Sequence, residues 1–192
     1  MSASTDHSTD RDVIDVLVTD HREALELLEQ IRGTADEEHR RDLTDSLIAE
    51  LVRHSVAEEM HVYPAMRDHL PDGDEAVEHD TQEHKQLEAT MKRLESADTT
   101  SAEYTTALSD LERVLRDHVS DEEQEQFPQL RQHLPEELLV ELKGKVEATK
   151  KIAPTRPHPA SPNAELFHKV VGPGVGLVDR LRDRITGRHE NT

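Results

Sequence analysis

Two His-x-x-x-Glu pairs are the residues of this sequence whose types and spacing most directly suggest chemistry. His54 precedes Glu58 by four residues, and His118 precedes Glu122 by four residues. On an α-helix this spacing places both side chains of a pair on one face. Two further histidines lie on the apolar faces of neighbouring predicted helices. The candidate metal ligands are therefore His21, His54, Glu58, His84, His118 and Glu122.

These six side chains share the predicted helix faces with apolar residues, so we expect them inside the core. Buried imidazoles and carboxylates are costly without partners, and no Lys or Arg lies on these faces. Metal ions would remove that cost. Six ligands exceed the four of a tetrahedral zinc site and suit two ions that share bridging carboxylates. Because the chain has no Cys, imidazole and carboxylate ligands favour iron or manganese over copper(I) or structural zinc.

The elements that position these residues form an internal repeat. Residues 47–71 resemble residues 111–135 at an offset of 64. The preceding helices, which carry His21 and His84, are related by an offset of 63. A repeat of this length indicates two copies of one supersecondary unit, here a helix, a loop and a longer helix.

Local signals set the helix boundaries and predict an all-α fold. Gly33 is placed to end the first helix, and Thr34, Asp72 and Thr100, each followed three residues later by Glu, are predicted N-caps. Short connections between the helices predict an up-down-up-down four-helix bundle with a C-terminal helical extension. The predicted helices cover residues 10–32, 34–70, 72–97 and 100–134, and a fifth helix runs from Pro135 to Lys151.

The predicted domain organisation has four parts. They are a flexible N-terminus at 1–9, a bundle at 10–151, a Pro-rich linker at 152–164 and a short amphipathic tail at 165–192. Within the bundle, repeat one covers 10–71, repeat two covers 72–135 and an extra helix covers 136–151. The tail mixes apolar and arginine residues, which favours docking on the acidic bundle or contact with a protein partner.

Taken in order, the motif pattern His, His-x-x-x-Glu, His, His-x-x-x-Glu resembles the hemerythrin-like proteins with duplicated HHE cation-binding motifs, over about residues 10–135. The pairs Tyr63-Pro64 and Phe127-Pro128 are similar to that family as well. The resemblance implies two non-haem iron ions with a bridging oxo or hydroxo group, with manganese as the alternative metal. The implied terminal pairs are His21 with His54 and His84 with His118, and the implied bridges are Glu58 and Glu122.

Two positions depart from the oxygen-carrying members of that family. Those proteins have a His-x-x-x-His pair on the third helix, but here Asp80 stands four residues before His84. They also have an Asp five residues after the last His, where this chain has Glu123. One ion therefore either has a free coordination position or receives Asp80 as its ligand. A free position would admit a small diatomic ligand or peroxide, so we expect redox sensing or peroxide chemistry rather than reversible oxygen carriage.

Several neighbouring residues are predicted to have ordinary roles. Glu59 and Glu123 are expected to face solvent or to reach a neighbouring helix. Tyr63 is expected to pack in the core, with a hydrogen bond from its phenol to a bound oxygen species as the alternative. His61 stands three residues after a candidate bridging Glu, which is the ferritin-type spacing, but the repeat position holds Glu125. The missing second Glu-x-x-His argues against a ferritin-like site.

Composition narrows the function classes further. The 192 residues carry a formal net charge of −19, which disfavours nucleic acid and anionic membranes as partners. The polar N-terminus resembles no signal peptide and no apolar run reaches membrane-spanning length, so a cytoplasmic protein is expected. Three functions stay open. They are a di-iron protein that binds or senses oxygen, nitric oxide or redox state, a peroxide-degrading (catalase-like) enzyme, and an iron store or buffer.

Overall fold

A computed structural model describes residues 11–153 of the chain. The predicted N-terminal segment 1–9, the linker beyond Ala153 and the tail 165–192 lie outside these residues. Two π-helical segments, Glu58–Val62 and Glu122–Gln126, interrupt the second and fourth long helices. The α-helices are α1 Val13–Gly33, α2 Glu37–Ala57, α3 Tyr63–His69, α4 Gly73–Ser96, α5 Ala102–Asp121, α6 Phe127–His133 and α7 Glu136–Ile152.

The helices form a four-helix bundle, as predicted for the all-α fold. Its arms are α1, the continuous run of α2 with α3, then α4, and the run of α5 with α6. The strongest packing is between α4 and α5 and between α1 and α2, which are the two helices of each repeat. Helix α7 packs against α1 and α2, so it covers one side of the bundle.

Three helices begin at short polar side chains that accept hydrogen bonds from the first turn. Asp12 accepts from Ile14 N–H at 2.9 Å at the start of α1. Asp36 accepts from His39 N–H at 2.8 Å, and Ser101 accepts from Tyr104 N–H at 3.0 Å.

The prediction that Thr34 and Thr100 are the N-caps was therefore wrong by one or two residues. Thr34 instead accepts a hydrogen bond from the backbone N–H of Asp36, because the chain needs two more residues to turn before α2 begins.

The π-helical segments begin at the two glutamates of the His-x-x-x-Glu pairs. Tyr63 N–H bonds to the Glu58 carbonyl, and Phe127 N–H bonds to the Glu122 carbonyl, five residues back in each case. A proline follows each aromatic residue, and its missing N–H and bulky ring disrupt the regular α-helical ladder at this point. A π-turn accommodates one additional residue, and such turns are frequent at functional sites.

The apolar core lies in layers on either side of four buried histidines. These central histidines are His21, His54, His84 and His118. One layer gathers the start of α1 with α3, α6 and α7, and includes Leu17, Met66 and Phe127. Toward the opposite end of the bundle, Leu28 and Leu111 are fully buried. The histidines are thus shielded from water by apolar side chains on both sides.

The turn between α3 and α4 depends on a glycine. A Cβ at Gly73 would lie 2.1 Å from the backbone carbonyl oxygen of Met66, so no larger residue fits without moving the backbone. This close approach lets α4 enter the bundle directly after α3. Gly73 thereby fixes where Asp80 and His84 lie along the bundle axis.

Among residues 11–153, no helix is both long and apolar enough to cross a bilayer. The cytoplasmic location stays a prediction.

Candidate metal centre

All six predicted ligands meet in the middle of the bundle. Each arm contributes one histidine, and the two π-helical segments contribute the glutamates. The ring centroids of His21 and His54 are 4.8 Å apart, and those of His84 and His118 are 5.0 Å apart. The exposed fractions are 2% for His21, 4% for His54, 0% for Glu58, 4% for His84, 1% for His118 and 1% for Glu122.

The ligand atoms fall into two overlapping groups, each compact enough to surround a cation. Within each group the ligand atoms lie within 4.8 Å of one another. One group contains Glu122, the other contains Glu58, and His118 lies close enough to belong to either. The groups are His21, His54, His118 and Glu122, and Glu58, His84 and His118. Two adjacent cation positions are compatible with this arrangement.

Buried polar atoms in this cluster lack hydrogen-bond partners among the described residues. They include both carboxylate oxygens of Glu58, Oε2 of Glu122 and Nε2 of His118. His54 Nε2 lies 3.1 Å from Glu58 Oε2, but the two atoms are not aligned as a hydrogen bond. Unsatisfied buried acceptors are costly and uncommon, and cations between them would satisfy all of these atoms together. The donor set therefore fits a carboxylate-bridged metal centre.

A carboxylate from a second layer holds the outer nitrogen of every central histidine. The Nδ1 atoms are bonded as follows: His21 to Glu123 at 2.9 Å, His54 to Asp20 at 3.3 Å, His84 to Glu59 at 2.9 Å and His118 to Glu83 at 2.9 Å. When Nδ1–H donates to a carboxylate, Nε2 is left free as the ligand atom. Such outer carboxylates orient metal-bound histidines and raise their basicity.

The second-layer carboxylates occupy equivalent positions in the two sequence repeats. Two of their four contacts with the histidines join one repeat to the other. Asp20 and Glu83 each precede a central histidine, whereas Glu59 and Glu123 each follow a central glutamate. The expectation of a solvent-facing side chain is wrong for Glu59, which is 5% exposed. Glu123 is also turned inward onto His21, although its side chain remains 35% exposed. The recurring dipeptides at the repeat offsets were the signal that could have identified this layer.

Electrostatics in the cluster favour protonated histidines when no cation is bound. Burial alone would lower the pKa of His54, but the Glu58 charge and the hydrogen bond to Asp20 outweigh it and raise the pKa to about 10. Burial is likewise outweighed at His84, whose pKa is raised well above its usual value by its contact with the Glu58 carboxylate and its hydrogen bond to Glu59. Metal binding at these nitrogens must therefore displace protons.

Asp80 and Tyr63 lie inside the centre rather than at its periphery. Asp80 is fully buried, its Oδ1 accepts a hydrogen bond from Gln126 at 2.6 Å, and its Oδ2 has no partner among residues 11–153. Burial and the charge of Glu122 raise the pKa of Asp80 to about 8. The Tyr63 hydroxyl lies 3.1 Å from Nε2 of His84. Burial holds the pKa of Tyr63 well above its usual value, so the phenol keeps its proton.

His61 lies outside the centre, as its unmatched spacing suggested. Its Nε2 is hydrogen-bonded to Oγ1 of Thr149 on α7 at 2.8 Å. His69 and His133 are exposed near the helix ends. A histidine near the C-terminus of a helix can interact favourably with the helix dipole and the last backbone carbonyls.

A cleft of about 390 Å³ lies between α1 and α5, and His21 and Glu123 are among its lining residues. Its apolar side chains are Val18, Leu25 and Val119. Val18 is one of the few large apolar residues of the described chain that is open to solvent, at 36% exposure. The cleft therefore reaches from the surface to an edge of the metal-ligand cluster.

Comparisons with known proteins agree with this geometry. The hemerythrin HHE cation-binding domain family matches residues 12–130. An uncharacterized hemerythrin-like protein of the fission yeast Schizosaccharomyces pombe is 33% identical over 172 residues, which cover 89% of this chain and 85% of the relative. No solved structure gives a significant match.

Proposed function

The chain belongs to the hemerythrin family of HHE cation-binding domains, and on that premise we propose that it is a non-haem di-iron protein. Its proposed role is to bind or sense oxygen, nitric oxide or redox state at a carboxylate-bridged centre. Manganese is the alternative metal, because the same imidazole and carboxylate ligands suit both ions.

One observation carries the proposal. Four buried histidines direct Nε2 toward Glu58 and Glu122, whose buried oxygens include atoms without hydrogen-bond partners in the described chain. An apolar core supplies no other reason to bury this many charged groups. The overlap of the two ligand groups at His118 supports two ions close together rather than one.

The proposed roles of the residues follow from their positions. The four histidines would be terminal ligands, and the two glutamates would bridge. When bound, iron would supply reversible one-electron chemistry and an attachment point for a small ligand. The protein contributes the dry surroundings, the fixed imidazole orientations and the second layer of carboxylates that holds them.

Asp80 and Tyr63 are placed to act on a small ligand in the centre. The unpaired Asp80 Oδ2 could either coordinate an ion or accept a hydrogen bond from a bound species. The protonated Tyr63 hydroxyl is a hydrogen-bond donor beside His84. The cleft lined by Val18 and Val119 is the proposed entry for this ligand, because His21 is part of its wall.

A peroxide-degrading enzyme is the second candidate. The observation that favours it is the pair of buried polar groups just described, since turnover of peroxide requires groups that exchange protons with the substrate. Iron storage is disfavoured because His61, which would provide a ferritin-type ligand, bonds to Thr149 instead.

The two candidates are separated by one experiment on the iron-loaded protein. A visible spectrum that changes on adding oxygen or nitric oxide and returns on removing it supports binding or sensing. Oxygen evolution from hydrogen peroxide over many turnovers supports the enzyme. A protein that takes up neither iron nor manganese during anaerobic loading contradicts both functions.

A further inference from the structure

A lysine from outside the four-helix bundle reaches the second layer of the candidate metal centre. Lys150, in the last turn of α7, forms a close ion pair with Oδ1 of Asp20. The Lys150 side chain is 14% exposed and that of Asp20 is 8% exposed, so the pair is largely removed from water. The opposite oxygen of Asp20 accepts a hydrogen bond from Nδ1 of His54 at 3.3 Å.

These contacts connect α7 to a candidate metal ligand through a single carboxylate. The ammonium of Lys150 and the imidazole of His54 hold opposite oxygens of Asp20, so the carboxylate is fixed from both sides. Charge-assisted hydrogen bonds of this kind are short and directional. The orientation of His54 therefore depends on a residue of α7.

Among residues 11–153, the second repeat has no counterpart of this lysine. Glu83, which occupies the position equivalent to Asp20, is faced by His79 at 3.6 Å, and His79 is also bonded to Asp121 at 3.1 Å. His79 is 55% exposed and Asp121 is 44% exposed, so water screens this group. The two halves of the centre thus have similar candidate ligands, but their second-layer carboxylates have different partners. Asp20 is paired with a buried lysine, whereas Glu83 is paired with an exposed histidine.

The asymmetry arises from a part of the chain that the family match does not cover. The match ends at residue 130, whereas α7 spans Glu136–Ile152. Helix α7 packs on α1 and α2 of the first repeat, so its lysine approaches only that half of the centre within residues 11–153. Helix α7 therefore lies beyond the matched family domain, although the alignment with the fission-yeast relative extends across it.

We propose that Lys150 is a positioning residue that acts on His54 through Asp20 and makes the two metal positions unequal. It fixes the His54 ring and places a permanent positive charge behind the first-repeat half. A positive charge nearby disfavours the more oxidised ion, so the first-repeat iron has the higher reduction potential. The inference rests on the proposed di-iron function.

The test is a redox titration of the iron-loaded, full-length protein, followed by visible absorption and electron paramagnetic resonance. Lys150→Met should lower one of the two midpoint potentials and leave the other close to its wild-type value. Lys150→Arg, which retains the charge, should restore the wild-type pair of potentials. Lys150→Gln retains a hydrogen-bond donor without the charge, so it should also lower that potential if the charge is what matters.

Two controls on α7 separate this role from simple helix docking. Lys145→Met removes the same charge from a side chain that is 48% exposed and paired with Glu141. Val146→Ala weakens α7 packing at a fully buried apolar position, whose side chain carries no charge and no hydrogen-bond donor that could act on Asp20. Both variants should keep the wild-type potentials.

The outcomes distinguish failure of the inference from failure of the function. Unchanged potentials in Lys150→Met and Lys150→Gln overturn the role of Lys150, as does an equal shift in Val146→Ala. If Lys150→Met does not fold, the result for Lys150→Gln decides. A wild-type protein without bound iron or manganese overturns the proposed function instead.

Discussion

Removing His118 should abolish about half of the stabilisation that metal gives to the fold, because its Nε2 would be a terminal ligand of one of the two ions. Each ion bound at 100 times its Kd stabilises the folded state by about 2.7 kcal/mol, so two ions give about 5 kcal/mol. At roughly 3 °C per kcal/mol for a domain of this size, the wild-type Tm should rise by about 15 °C on loading. In His118→Ala, which would retain one ion, this rise should fall to about 8 °C.

The same substitution should have a smaller effect on the metal-free protein. His118 is 1% exposed, and its removal leaves Glu83 without its buried imidazole partner. Leaving such a group unpaired costs about 1 to 3 kcal/mol. The metal-free and metal-loaded Tm values must therefore be compared within each variant, by differential scanning calorimetry with and without iron.

Two further variants make this prediction specific. His84→Ala likewise removes a terminal ligand of one ion, so it should also retain about half of the metal-induced rise in Tm. His61→Ala removes a histidine that bonds to Thr149 outside the centre, so it should retain the full rise. A wild-type rise and two bound ions in His118→Ala would refute the assignment of His118 as a metal ligand.

Three other substitutions test separate parts of the account. Asp80→Ala should leave the bound metal in place and change the affinity for azide in a spectroscopic titration, because Asp80 is buried among the ligands; an identical binding constant would exclude it from the ligand position. Val18→Trp should slow azide association about tenfold by filling the cleft, whereas Val140→Trp at another exposed valine should not, and equal rates in both variants would exclude this entry route. Burial lowers the pKa of His61 below 6.5, so its stabilising contribution is complete above about pH 6.5 and lost as the pH falls. The Tm advantage of the metal-free wild type over His61→Asn should therefore shrink between pH 7.5 and 5.5, and an advantage that grows would contradict the argument.

The ligand cluster was accessible from sequence because two independent signals agreed. A spacing of four joined His54 to Glu58 on one face, and the same pair recurred at His118 and Glu122. The helical spacing of these pairs and the internal sequence repeat together predicted which side chains would lie close together. In the structure their ligand atoms lie within a few ångströms of one another. Their role as metal ligands stays a prediction that the experiments above test.

Regular α-helical geometry does not predict the second layer of carboxylates that bond to the central histidines. With 3.6 residues per turn, a residue next to an inward-facing ligand points about 100° away, which suggested solvent for Glu59. The π-helical segment starting at Glu58 changes that relation, so Glu58, Glu59 and Val62 are all buried. The proline after Tyr63 indicated that the helix would be irregular at this point, but it did not indicate that the irregularity would be a π-helical segment.

The contact of Lys150 with Asp20 could not have been predicted from local patterns. The two residues are 130 positions apart, and their approach depends on how α7 docks on the bundle. Helix periodicity identifies the buried face of α7, such as Leu142 and Val146, but not its partner helices. Contacts that depend on how distant helices pack together can be identified only from a three-dimensional structure.

Metal analysis of the protein purified under air, together with its optical spectrum, is the most direct test of the proposed metal centre. We expect about two iron or manganese ions per chain, with lower metal content in both His54→Ala and Glu122→Ala. Full metal occupancy and an unchanged spectrum in these two variants would contradict the proposed centre, as would a wild-type protein that holds no such ion even after anaerobic loading.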